Sequence, residues 1–172
     1  FVVINRYKNN YLYLYRKFVP EGNLGGTWNS RGNTPFNFPI IRYADVLLML
    51  AECYNEEGKL DEAVSYINMV RQRPSTNMPG INSGPEWLEA RTKDAVFKRI
   101  MHERAVELPG EGLRYYDLRR WRLMEKYLNG DVQDAMGNHI YYTKFEEKDY
   151  LWPIPSEEIE KNPNLTQNPG WQ

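Results

Sequence analysis

Between His102 and Trp121 the chain runs His-Glu-Arg-Ala-Val-Glu-Leu-Pro-Gly-Glu-Gly-Leu-Arg-Tyr-Tyr-Asp-Leu-Arg-Arg-Trp. Glu103, Glu107, Glu111 and Asp117 are interleaved there with Arg104, Arg114, Arg119 and Arg120. Two such carboxyl groups facing each other across a cleft could act as general acid and as base or nucleophile, as glycoside hydrolysis requires. The density of arginine argues against this, because a guanidinium lowers the pKa of a neighbouring carboxylate, whereas a catalytic acid needs a raised one. The same residues fit a network of ion pairs locking helix to helix, or failing that a solvated charged face. Such a network supplies geometry more readily than net stability, since desolvation offsets much of the attraction.

The elements that carry these charges follow from the apolar spacing. Thr92 to Leu108 is predicted as a helix with Val96, Phe97, Ile100, Met101 and Ala105 as its apolar set. Pro109 ends it, because the residue before a proline avoids helical angles, and Gly110 and Gly112 permit a tight reversal. A second helix is predicted from Leu113 to Leu128, closed by Asn129-Gly130. Glu103 and Glu107, four apart, share one helix face, and Arg114 and Asp117, three apart, share another. The expectation is a buried or half-buried lattice of these four residues joining the two helices. Replacing Arg114 by Ala should then cost about 3 kcal/mol or more.

Upstream, Arg42 to Glu57 has Tyr43, Leu47, Leu50, Ala51 and Tyr54 at helical spacing, with Gly58 just beyond. Leu60 to Arg73 follows with Asp61 and Glu62 in its first turn, Ala63, Tyr66, Ile67 and Val70 on one side, and Pro74 after it. Together, residues 41–74 resemble one tetratricopeptide-like hairpin, which cannot form a solenoid by itself and must pack on something else. Phe1 to Ile4 and Tyr11 to Tyr15 are predicted as extended pieces, and the Gly137-Asn138 turn as the tip of a hairpin within 130–150. In the tail, residues 150–172, Leu151-Trp152-Pro153-Ile154-Pro155 must be extended, Ser156 caps a short turn, and Leu165 and Trp171 are apolar anchors.

Two loops interrupt these elements. Pro20 to Pro39 is rich in Gly, Asn and Pro and carries Trp28 between polar neighbours Asn29 and Arg31; Ser75 to Pro85 leads to Trp87. A sugar is recognised by aromatic rings against its apolar face and by planar polar groups at its hydroxyls. Trp28 with Asn29 and Arg31, and Trp87 as a second platform, are the candidate ligand-binding residues; the alternative for Trp28 is a ring tucked onto the domain surface. Trp121 and Trp152 are expected in the core.

Composition narrows the classes. The 172 residues, 41% hydrophobic and 26% charged, suit one soluble domain with a real core. A net charge of −1 gives no electrostatic case for nucleic acid. Cys53 is the single cysteine, so no internal disulfide forms, and His102 and His139, far apart, make no zinc site. No metal and no cofactor are expected. Phe1 stands where Met would, with no leader-like segment after it, so the chain is expected to be part of a longer protein.

Several stretches, in order, resemble the C-terminal part of the SusD/RagB family of outer-membrane glycan-binding lipoproteins. They are Ile41-Arg-Tyr-Ala-Asp-Val-Leu-Leu-Met-Leu-Ala-Glu52, Ile67-Asn-Met-Val-Arg-Gln-Arg73, Glu103-Arg-Ala-Val-Glu-Leu108, Glu111-Gly-Leu-Arg114, Asp117-Leu-Arg-Arg-Trp121, Trp152-Pro-Ile-Pro155 and Asn162-Pro-Asn-Leu-Thr-Gln-Asn-Pro-Gly170. The resemblance implies an all-α fold, with tetratricopeptide-like helical hairpins, long loops and an extended C-terminal tail, all within one SusD-like domain. It implies a non-catalytic subunit on the outer surface of the cell outer membrane, held by a lipid anchor that this chain lacks. That subunit would bind oligosaccharide or polysaccharide and pass it to a SusC-like TonB-dependent transporter. Pro109-Gly110 departs from the bulkier apolar pair usual in the family, and the family's sugar contacts lie in variable loops, so none transfers by motif. A tetratricopeptide-like protein-interaction scaffold and an all-helical glycoside hydrolase remain the alternatives. The scaffold would show a polar concave groove and no aromatic platform; the hydrolase would show carboxylates facing across an open cleft.

Overall fold

The structure, a computed structural model, describes residues 2–7, 10–15, 17 and 37–171. It is mainly helical, and its described residues fall into two compact units, 37–114 on the one hand and 115–171 with the N-terminal hairpin on the other. That hairpin pairs β1 (Val2–Tyr7) with β2 (Asn10–Tyr15) in antiparallel register, Val2 opposite Tyr15 and Tyr7 opposite Asn10. The period-two tyrosines of the second strand had marked it.

The unit from 37 to 114 is built on α1 (Tyr43–Glu56), α2 (Leu60–Arg71) and α3 (Lys93–Glu107). α1 and α2 form the expected hairpin. Ala51 and Ala63 are both fully buried, so the two backbones approach closely, and Gly58 takes the left-handed φ of 77° that the turn requires. Leu47, Leu48, Ile67 and Val70 from the hairpin meet Val96 and Ile100 of α3 in one core, plugged by Ile81, Leu88 and Ala90 from the intervening loop. Within α1 the buried stripe runs through Ala44, Leu47, Leu48, Ala51 and Asn55, while Leu50 and Tyr43 are exposed. The expected set was therefore rotated toward solvent by part of a turn. Tyr54 and Tyr66 stack with centroids 5.3 Å apart on the hairpin's flank.

The charged stretch is a clamp, and its α3 carboxylates draw in arginines that the expectation did not include. Glu103 and Glu107 on α3 reach across to arginines of the hairpin. Arg71 pairs with Glu103 at 2.7 Å, and Arg73 holds both oxygens of Glu107 at 2.7 and 2.8 Å. Arg42, just before α1, forks onto Glu111 at 2.9 Å and also reaches Glu107 at 2.9 Å. These bonds, Glu111's first, raise the Arg42 pKa against the opposing effect of burial. Arg104 closes onto Asp45 at 2.8 Å with both side chains buried. Arg114 is half-buried and donates to the Met101 carbonyl at 3.4 Å, and Asp117 pairs with Arg120 of its own helix at 3.0 Å. Glu103 and Glu107 meet the arginines of the hairpin because the face of α3 that carries them is packed toward it.

The single helix expected from Leu113 to Leu128 is two. α4 (Leu113–Arg120) stops where Arg122 adopts a left-handed φ of 58°, and α5 (Met124–Leu128) starts anew. The break has the hydrogen bonds of a Schellman stop, Leu123 N–H to Leu118 O at 2.9 Å and Arg122 N–H to Arg119 O at 3.1 Å. It lets Leu118, Met124 and Tyr150 come together as the core of the second unit. There β3 (Gly130–Gln133) and β4 (His139–Thr143) form the predicted hairpin, its tip organised by the buried Asp134 carboxylate, which accepts from the Met136 and Asn138 amides at 2.9 and 2.8 Å.

The tail is extended through 152–155 and then forms α6 (Ser156–Lys161). Ser156 does not cap it; Pro155, held extended by its ring, occupies the capping position and Ser156 is the first helical residue. Trp171 anchors the tail, its indole N–H donating to the Leu151 carbonyl at 2.8 Å, whereas Leu165 is 36% exposed. Trp152 is 71% exposed and Trp121 half-buried beneath the Arg120 guanidinium, so neither belongs to the core expected for them.

Candidate functional site

Of the candidate residues, Trp28, Asn29 and Arg31 lie outside the described residues. Trp87 lies on the 3-10 turn Glu86–Leu88, in the loop joining α2 to α3. The local sequence explains its position. Leu88 is 2% exposed and fills the core, and in so tight a turn its neighbour Trp87 is directed away from the core, 67% exposed.

The loop that carries Trp87 is fixed at both ends by asparagine amides. Asn68 of α2 clasps Ile81, accepting its N–H at 2.6 Å and donating to its carbonyl at 3.0 Å. Asn82 clasps Ala90 in the same way, at 2.7 and 2.9 Å. Asn82 has a φ of 60°, a left-handed value that asparagine tolerates. Gly84 lies so close to the Gly80 carbonyl that an added Cβ would stand 3.0 Å from it. The Arg71 Nε donates to the Pro79 carbonyl at 2.8 Å, tying the loop to the buried ion pair beneath it. A loop held this way presents its side chains in a preformed arrangement, which lowers the ordering cost of binding.

Between the loop and α3 lies a cavity of about 350 Å³, at the lower end of the size range of small-molecule sites. Met78, Ile81 and Trp87 line it from the loop, and Arg99, His102 and Val106 from α3, where their spacing of three and four places them along one side. Arg99 donates to the Trp87 carbonyl, so the guanidinium is placed beside the turn that carries the indole. The carboxylates at the cavity's edge, Glu103 and Glu107, are engaged by Arg71, Arg73 and Arg42. The cavity has an aromatic wall, Trp87, and a cationic one, Arg99. Of the expected ligand-binding residues Trp87 lines this cavity, and Arg99 and His102, which line it too, were not among those expected. Their signal was their position off the Val96–Ile100 stripe, on the side of the helix that the loop covers.

A second aromatic cleft, of about 340 Å³, lies within the other unit between Tyr115, Phe145, Trp152, Pro153 and Trp171, with Lys144 and Asp149 at its edge. Trp152 is held there on a fixed rail. The Gln167 amide bonds both the N–H and the carbonyl of Ile154 at 2.8 Å, and Asn168 donates to the Trp152 carbonyl at 2.6 Å. Among the described residues no group of three or more His, Cys, Asp or Glu is placed to hold a metal ion, and no helix is long and apolar enough to cross a membrane.

Comparison with known proteins gives a consistent result. The sequence model of the SusD family matches residues 4–171. A SusD-like protein of Formosa agariphila is 33% identical over 160 residues, which are 90% of this chain and 30% of that protein. A second from the same organism is 32% identical over 137 residues, 77% of this chain and 24% of that protein. Among solved structures, a SusD-like protein from Bacteroides fragilis superposes with a TM-score of 0.64 at 28% identity, covering 78% of this chain and 26% of that one. A SusD-like carbohydrate-binding protein from Bacteroides fragilis superposes at 0.54 with 34% identity, covering 74% of this chain and 28% of that one. The chain therefore spans between about a quarter and a third of the length of these relatives.

Proposed function

The chain belongs to the SusD family, and from that membership we propose that it is part of a cell-surface subunit that captures oligosaccharides and delivers them to a TonB-dependent outer-membrane transporter of the SusC type. The subunit would sit on the outer face of the outer membrane, held there by a lipid anchor, and would bind without breaking bonds. The observation that carries the reading is the family match along residues 4–171, which embraces a preformed cavity walled by the exposed, loop-borne Trp87. An indole offered on a rigid turn beside a guanidinium suits a sugar ring, whose apolar face stacks on the aromatic while its oxygens accept hydrogen bonds. Trp28, with Asn29 and Arg31 beside it in the sequence, is proposed as a second platform.

The test is retention of the full-length protein in native gels containing soluble polysaccharides. The wild type is expected to be retarded by at least one glycan, and Trp87→Ala and Trp28→Ala to migrate faster in it while melting as the wild type does. Release of reducing sugar during the incubation would instead favour a hydrolase. A Trp87→Ala protein that is retarded as fully as the wild type would remove Trp87 from the site.

A further inference from the structure

Resting on the glycan reading above, we infer that the Trp87 cavity takes an acidic glycan, one whose sugars carry anionic oxygens as carboxylate or sulfate groups. The ground is the pairing of the charged groups around it. Four line the cavity, Arg71, Arg99, Glu103 and Glu107, together with the imidazole of His102. Arg71 and Glu103 neutralise each other at 2.7 Å, both buried. Glu107 has both oxygens on Arg73 and one also on Arg42, so its charge is answered from outside the cavity. Arg99 is left with a carbonyl, that of Trp87, and among the described residues no carboxylate pairs with it.

A carbonyl occupies a single donor of the five on a guanidinium and removes none of its charge. Arg99 is therefore a half-buried cation, fixed in place, with most of its fork unused. Such a fork matches a carboxylate or sulfate, which it binds through two parallel hydrogen bonds. His102 is exposed one helical step along the same side, and among the described residues its imidazole makes no hydrogen bond. It offers a second donor to the same kind of oxygen. The Trp87 indole completes the arrangement, because the apolar face of a sugar can stack on the ring while its anionic substituent reaches α3.

The experiment uses the full-length protein in affinity gels of matched pairs: polygalacturonate against its carboxyl-reduced galactan, and dextran sulfate against dextran. The first pair tests for carboxylate, the second for sulfate. Retardation by the acidic member of either pair alone, weakened about tenfold by Arg99→Gln and by His102→Glu, is the expected result. Lys161→Gln, the same charge change as Arg99→Gln at an exposed lysine that does not line the cavity, should leave it unaltered and so exclude a general charge effect. His102→Glu lies on the exposed surface and keeps the test informative if Arg99→Gln melts early. Equal retardation by both members of a pair, or by the neutral member alone, overturns the acidic inference and leaves the glycan reading standing. Failure of all four polysaccharides, and of every other neutral polysaccharide tried, to retard the protein counts against the glycan reading itself. An acidic retention that Arg99→Gln and His102→Glu leave intact, or that Lys161→Gln weakens equally, overturns the assignment to this cavity.

Discussion

Arg71 and Glu103 form a 2.7 Å ion pair with both residues about 95% buried, joining the last turn of α2 to the C-terminal half of α3. A pair removed from water to this degree contributes little net stability over an apolar replacement, but losing one partner leaves the other charged and buried. Arg71→Ala is thus expected to cost about 3–5 kcal/mol in chemical denaturation. Arg71→Met combined with Glu103→Leu should recover most of that loss, since no charge is stranded. A single Arg71→Ala variant within about 1 kcal/mol of the wild type would mean that water reaches Glu103.

Asn68 acts on the loop as Arg71 acts on the helices. Its side chain supplies both hydrogen bonds of Ile81, a residue only 1% exposed, so Asn68→Ala strands a buried N–H and a buried carbonyl together. We expect a loss of about 1–3 kcal/mol, the cost of unsatisfied buried polar groups. Hydrogen exchange at the Ile81 amide should quicken while exchange in the middle of α1 changes only with global stability. If the Ile81 amide stays as protected as before, some group other than Asn68 holds the loop.

Much of this architecture was legible in the residues, and the failures have definable causes. The α1–α2 hairpin announced itself through apolar residues at three and four and through Gly58, because burial of one helix stripe leaves a periodic mark. The break at Arg122 left no such mark. A left-handed stop without glycine or asparagine is chosen by tertiary packing, here by the Arg122 guanidinium lying 3.9 Å over the Tyr150 ring, twenty-eight residues away in sequence. Likewise the carboxylates of α3 could be read as ion-paired, but which arginines they meet depends on the rotation of α3 against the hairpin. At the cavity, loop composition pointed to Trp87, while Arg99 and His102 could be assigned only after the loop was seen to cover their side of α3.

Arg122 permits a direct test of that packing choice. A residue with a Cβ pays about 1 kcal/mol for left-handed angles that glycine adopts freely. Arg122→Gly should therefore be more stable than Arg122→Ala by about that amount, both having lost the contact with the Tyr150 ring. Thermal melts of the two variants decide it. Equal melting temperatures would show that the chain leaves the left-handed conformation once the guanidinium is gone.

Tyr150 closes the start of α5, and its hydroxyl gives the second unit a pH dependence with two edges. The oxygen accepts the N–H of fully buried Met124 at 3.0 Å and donates to Glu125 at 2.6 Å. Tyr150→Phe removes both bonds and should cost about 1–3 kcal/mol at neutral pH. Burial, followed by the bond to Glu125, raises the Tyr150 pKa above the ordinary phenol value of about 10. A group with a raised folded pKa contributes fully below its unfolded value, so this contribution fades as pH climbs from about 10 through the folded pKa. The Tyr150 hydroxyl in turn is the largest cause lowering the Glu125 pKa, and that contribution holds above the unfolded value of about 4.3 and is lost as pH falls through the folded one. The difference in stability between wild type and Tyr150→Phe should therefore form a plateau through neutral pH and narrow at both ends. A difference that stays constant from about pH 3 to about pH 11 would assign the whole effect to the Met124 bond.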